Sequence, residues 1–102
     1  MRPPVLHVFS RARKIPPKLA LDGRFSVDHV SEPERWPAHC DFYVSFTGLT
    51  AETWKASDRL GCSPPVVLPE AADWLHGKLM MALAERRDVW LFVAARNGDL
   101  PS

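Results

Sequence analysis

Residues 89–95, Val-Trp-Leu-Phe-Val-Ala-Ala, are apolar at every position, and this run constrains the chain more than any other feature. A strand with one wet face alternates apolar and polar residues, whereas an unbroken run of this length suits a strand covered on both faces. Such strands lie at the centre of sheets flanked by helices, most often parallel ones. At seven residues the run is far below the roughly 20 that a membrane-spanning helix needs.

The segments upstream supply the partners. Residues 5–9, Val-Leu-His-Val-Phe, follow a Pro-Pro pair and read as a first strand. Prolines at 16 and 17 open a short helical turn that Gly23 can end in the left-handed conformation. Residues 24–30 alternate Phe25, Val27 and His29 against Ser26, Asp28 and Val30, which suggests a second strand with a wetter face, suited to a sheet edge. Residues 31–37 combine a capping serine with two prolines and give a loop or a single helical turn. Residues 42–46 form the third strand, Thr50 caps a helix ending near Gly61, and residues 66–68 make a very short fourth strand. Pro69 then opens the longest helix, to about Arg87, with Ala72, Leu75, Leu79, Ala82 and Leu83 on one face.

Strand, helix, strand, helix, strand from residue 42 onward makes two consecutive βαβ units. The expectation is a single compact α/β domain over residues 1–102, with a four- to five-stranded mixed or mostly parallel sheet packed by two main helices. One of the first two strands is expected to run antiparallel or to be irregular. A chain of 102 residues buries close to two-thirds of its unfolded surface, so neither metal nor disulfide is required for folding.

Cys40 and Cys62 form no CxxC pair and read as free thiols. With no signal-like segment at the N-terminus and no membrane span, a cytoplasmic location is expected.

The formal net charge of +1 conceals a segregation. Residues 1–24 hold Arg2, Arg11, Arg13, Lys14, Lys18 and Arg24 against Asp22 alone, a net +5, while residues 25–102 hold seven cations against eleven carboxylates, a net −4. Either the basic quarter pairs with the acidic remainder on the folded surface, or it faces an acidic partner. Trp36, between Arg35 and Pro37 in a polar connection, adds a candidate exposed aromatic, because Trp and Arg are enriched where interfaces concentrate binding energy. Its other reading is a lid over the sheet edge. Trp90 is assigned to the core. Trp54 and Trp74 divide between sheet-facing and surface positions, and Met80-Met81 fits either gap filling or an adaptable surface.

Chemistry-bearing patterns are sparse. Thr47, Gly48 and Thr50 lie between a strand and a helix N-terminus, where anions bind, but no GxGxxG or GxxxxGK[ST] spacing is present, and an ordinary helix cap accounts for them. Arg96, with Asn97 and Asp99, follows the last strand and is placed on one rim with Ser10, Arg11 and Arg13, where guanidinium forks suit phosphate or carboxylate. His29, His39, Cys40, Asp41 and Cys62 are ligand types at the wrong spacing for zinc, so no metal site is assigned. His7 and His76 read as satisfied, partly buried histidines. No GxSxG signature organises Ser45, Cys40 or the Asp28-His29 pair for nucleophilic catalysis, and Glu32 and Glu34 belong to a solvated loop.

No catalytic residue and no cofactor is therefore assigned. The expected function is that of a small intracellular binding protein, an adaptor or inhibitor. It docks on a protein with an acidic surface through Arg11, Arg13, Lys14, Lys18, Arg24 and Trp36. The alternatives are a nucleotide- or anion-binding or enzymatic domain using Thr47, Gly48, Thr50 and Arg96, and a nucleic-acid module using residues 11–24.

Overall fold

A computed structural model of the protein describes residues 2–96. Five strands, β1 (Val5–Phe9), β2 (Ser26–Val30), β3 (Phe42–Ser45), β4 (Val66–Val67) and β5 (Val89–Ala94), form one sheet in the order β2-β1-β5-β3-β4. Two helices, α1 (Ala51–Arg59) and α2 (Ala72–Ala84), follow β3 and β4. The apolar run occupies the middle of the sheet as its sequence requires, with β1 on one side and β3 on the other.

Every strand pair is parallel, so the expected antiparallel or irregular member among the first two strands is absent. The polar half of β2 has a different cause. It lies at the sheet edge, where Ser26, Val27 and Asp28 are exposed and only His29 and Val30 turn inward. Helix α2 also begins later than Pro69 suggests. Residues 69–71 form a turn in which the Ala71 N–H donates to the Val67 carbonyl and the Ala72 N–H to that of Pro69, and the helix starts only at Ala72.

The two faces of the sheet carry separate cores. On one, Leu6, Val8, Val44, Val66, Val89, Leu91 and Val93 pack against Leu75, Leu79 and Ala82 of α2 and against Leu19, Leu21 and Phe25. On the other, Phe9, Val30, Tyr43, Phe92 and Ala94 pack against Ala56 of α1 and Leu60, which caps its C-terminus, with Trp36, Cys40 and Cys62 closing the side. Helix α1 turns Thr53, Ala56, Ser57 and Leu60 inward at the spacing of a single helical face.

The connection from β1 to β2 is a 3₁₀ turn, Pro17–Ala20, followed by three left-handed residues: Leu21 (φ 52°), Asp22 (φ 53°) and Gly23 (φ 95°). Only Gly23 was expected there. A left-handed leucine costs about 1 kcal/mol, and burial of its side chain offsets this, since Leu21 joins the α2-side core. The turn thereby holds Lys18 and Arg24 beside α2.

Candidate docking surface

Ser10 ends β1. Its hydroxyl is fully buried and accepts the Ala12 N–H at 3.0 Å, while its own N–H donates to the Val30 carbonyl. The chain therefore turns sharply off the carboxyl edge of the sheet and carries Arg11, Arg13 and Lys14 outward, all exposed. Arg11 places its guanidinium 5.2 Å from the centre of the Trp36 ring. Lys18 and Arg24 lie further along the same connection, against α2, where the Arg24 guanidinium reaches the Met80 sulfur at 3.6 Å.

Trp36 is not an exposed aromatic. It is 8 % exposed, its indole N–H donates to the Val30 carbonyl at 2.9 Å, and its edge meets the Phe92 face at 5.1 Å. The polar residues around it sit in a 3₁₀ turn, Pro33–Arg35, from which the indole folds back over the β2 side of the sheet. Its place is that of a lid, and the docking role assigned to Trp36 is withdrawn. Trp90 is corrected in the opposite direction. It is 39 % exposed, because α1 and the 31–41 connection cover the carboxyl half of that face and leave its amino half bare. The aromatics that do reach solvent are Phe46, Trp54, Trp74 and Trp90.

Four cations of the basic stretch stay apart from the acidic remainder. The ion pairs found among the described residues are His7 with Asp28 and Asp88, Arg35 with Glu32, and Arg87 with Glu85. Arg13, Lys14, Lys18 and Arg24 contact no carboxylate among the described residues. The segregation counted along the sequence therefore survives folding on this surface.

Across the carboxyl edge, β5 stands between β1 and β3, so residues 11–14, Arg96 and the 47–50 turn leave from three adjacent strands. Asn97 and Asp99 lie outside the described residues. The threonine turn is knit to itself. Thr50 caps α1 by accepting the Thr53 N–H at 3.2 Å, and its hydroxyl lies 3.0 Å from that of Thr53. Buried Ser45 accepts the Thr47 N–H at 3.3 Å and sits 3.2 Å from the Thr47 hydroxyl. The Gly48 carbonyl accepts from both Ser45 and Thr53, at 3.4 Å each, and Gly48 holds a φ of 93° that favours glycine. These groups share an edge with Arg96, and the bonds just described tie the turn to the end of β3 and the start of α1.

A second cluster was invisible along the chain. Register places Asp28 of β2, His7 of β1 and Trp90 of β5 side by side, with Asp41 just ahead of β3. The His7 ring stacks on Trp90 at 4.7 Å and 12°, with Nδ1 3.1 Å from Asp28 and Nε2 3.6 Å from Asp88. Both ring nitrogens face carboxylates, so neither is presented to a substrate as a base. The Val5 N–H, His7 and Arg2 hold the Asp88 carboxyl below its usual range. Neither chain position nor composition predicts this group, since it exists only once two parallel strands are in register.

Cys40 and Cys62 lie in one core cluster on the α1 side. Burial, then the neighbouring Cys62 and Asp41, pushes the Cys40 thiol up to about 12. Burial and Asp41 push Cys62 to about 11. Both are therefore protonated thiols, poor nucleophiles and poor metal ligands. Among the described residues no three His, Cys, Asp or Glu side chains converge to hold a metal.

A groove of about 580 Å³ lies between residues 16–19 and α2, floored by apolar side chains that include Leu19, Phe46, Leu68, Leu75 and Leu79. No stretch of sequence announces it, because its two walls are fifty residues apart. Comparison of the chain with family models, with curated proteins and with solved structures finds no match.

Proposed function

We propose that the protein is a docking domain that recognises an acidic surface on a partner protein through residues 11–24, with Arg13 and Lys14 at the centre of the contact. One observation carries the reading: Arg13, Lys14, Lys18 and Arg24 are exposed and meet no carboxylate among the described residues, although the rest of the chain is acidic. Exposed unpaired cations on a rigid edge attract an acidic partner at long range and set its orientation. The sheet supplies the rigidity, since Ser10 anchors the start of the stretch and the left-handed turn at 21–23 anchors its end. Such a domain serves as an adaptor or inhibitor by occupying its partner's acidic face.

A random peptide library selected on the immobilised protein tests this. Enriched sequences should be rich in Asp and Glu, bind the purified protein with affinity that falls as salt rises, and bind a variant carrying both Arg13→Glu and Lys14→Glu about tenfold or more weakly. Enrichment without acidic bias, or affinity unchanged in that variant, would refute the reading. A random single-stranded oligonucleotide that bound more tightly than every selected peptide would replace it with a nucleic-acid role.

A further inference from the structure

The amino half of the sheet face that α1 and the 31–41 connection leave bare carries a row of four residues across the strands. They are Asp28 on β2, His7 on β1, Trp90 on β5 and Asp41 just ahead of β3. At about 4.8 Å between strands the row is about 14 Å wide. Asp88 adds a third carboxylate at the amino edge, where it accepts the Val5 N–H at 2.9 Å. The centre of the row is aromatic and held in place. His7 has Asp28 at 3.1 Å and Asp88 at 3.6 Å from its ring nitrogens, its ring lies against Trp90 at 4.7 Å, and Trp90 is left 39 % exposed.

The chemistry of this face selects a cation. An acidic ligand would meet three carboxylates, and an apolar one would take them out of water unpaired. A cation is attracted by the carboxylates and by the indole ring together. Elsewhere the chain sets its own cations on tryptophan: Arg11 stands 5.2 Å from the Trp36 ring and Lys78 5.4 Å from the Trp74 ring. Trp90 carries no such cation among the described residues, although carboxylates stand on both sides of it. Arg2 helps lower the Asp88 carboxyl but forms no ion pair with it among the described residues. Guanidinium suits the face better than ammonium, because its plane lies flat on an indole while its N–H fork meets a carboxylate. A sheet face is open and encloses no free ion, whereas an arginine within a chain brings neighbouring residues to the rest of the row. We propose that this bare half of the sheet, centred on Trp90 and flanked by Asp41 and Asp88, docks an arginine side chain of a partner protein. It lies at the opposite end of the strands from residues 11–14, so it is independent of the contact with an acidic partner.

NMR titration of the isotope-labelled full chain at neutral pH tests this, with the Trp90 indole N–H as reporter and the blocked pentapeptide Gly-Arg-Gly-Arg-Gly as probe. The peptide should shift that signal saturably below about 10 mM. Its lysine counterpart should bind about threefold more weakly or worse, and its citrulline counterpart, which keeps the shape without the charge, should not bind. Asp41→Asn with Asp88→Asn should weaken binding about fivefold or more, and Trp90→Leu, read from the His7 and Leu91 amides, about tenfold. These three positions are exposed, and circular dichroism checks that each variant is folded. The absence of a saturable shift overturns the proposal. So does a lysine or citrulline peptide that binds equally well, or affinity unchanged in either variant. Free guanidinium that binds as tightly as the peptide overturns it too, because the face would then recognise an ion and not a partner's side chain. None of these results depends on residues 11–24, so this proposal and the acidic-partner reading fail separately.

Discussion

Removing Trp36 tests directly whether this residue is a lid or a binding anchor. Its side chain is 8 % exposed, and burying an indole of roughly 200 Å² at about 25 cal/mol per Å² amounts to about 5 kcal/mol as an upper figure. The edge contact with Phe92 adds of the order of 1 kcal/mol. Partial collapse around the gap lowers the total, and we expect Trp36→Ala to cost about 4 kcal/mol. Trp36→Phe keeps most of the apolar surface and loses the indole N–H. The Val30 carbonyl would still accept from Ser10 at 3.3 Å, so this variant should cost only about 1 kcal/mol. Arg11→Ala removes a cation at 5.2 Å from the ring on the solvent side and should cost about 0.5 kcal/mol. Urea unfolding followed by circular dichroism resolves these differences, with the alanine variant melting roughly 20 °C below the wild type. An alanine variant losing under about 1 kcal/mol, or a phenylalanine variant as damaged as the alanine one, would refute the lid.

Three further outcomes follow from the same geometry. Cys40 and Cys62, with thiols held near 12 and 11, should resist iodoacetamide at mildly alkaline pH in the folded protein and react at once in urea, with mass spectrometry counting the adducts. Because the folded state holds the Asp88 carboxyl below its unfolded value, its contribution to stability is present above about pH 4 and disappears as pH falls through the lower folded value. Asp88→Asn should flatten that acid limb of a pH–stability curve, and an unchanged limb would remove Asp88 from the account. Deleting residues 89–102 takes out the strand that joins β1 to β3, so the remainder should lose cooperative unfolding instead of surviving as a trimmed sheet.

The elements whose character is set by neighbours along the chain were legible. The central β5 follows from seven apolar residues, the cap of α1 from Thr50, and the edge position of β2 from Ser26 and Asp28. What depended on register or on a distant wall was not. Trp90 belongs to an apolar run, yet it faces a part of the sheet that no helix covers, and periodicity within β5 does not say how far α1 extends. Trp36 sits among charged residues, yet its ring turns under them to reach Val30 and Phe92. The direction of β2 could not be read from alternation, since an edge strand shows the same half-wet pattern whether parallel or antiparallel. His7 and Asp28 are 21 residues apart and meet only because β1 and β2 pair with no offset that separates them.

The same distinction explains why the basic stretch has a definite location. Charge counting shows that residues 1–24 are positive, but it does not distinguish pairing with the acidic remainder from presentation to a partner. The sheet order accounts for why Arg13, Lys14, Lys18 and Arg24 meet no carboxylate among the described residues. With β5 inserted between β1 and β3, the connection leaving β1 turns toward the β2 edge and the one leaving β3 turns toward the β4 edge. The stretch after β1 is thereby drawn away from α1, which carries Glu52 and Asp58, and it runs beside α2, whose first turn offers Asp73. Asp73 stands across a groove from Lys18 with no bond between them. Topology keeps Arg13, Lys14, Lys18 and Arg24 away from carboxylates among the described residues, and charge that a fold keeps apart is available for contact with a second molecule.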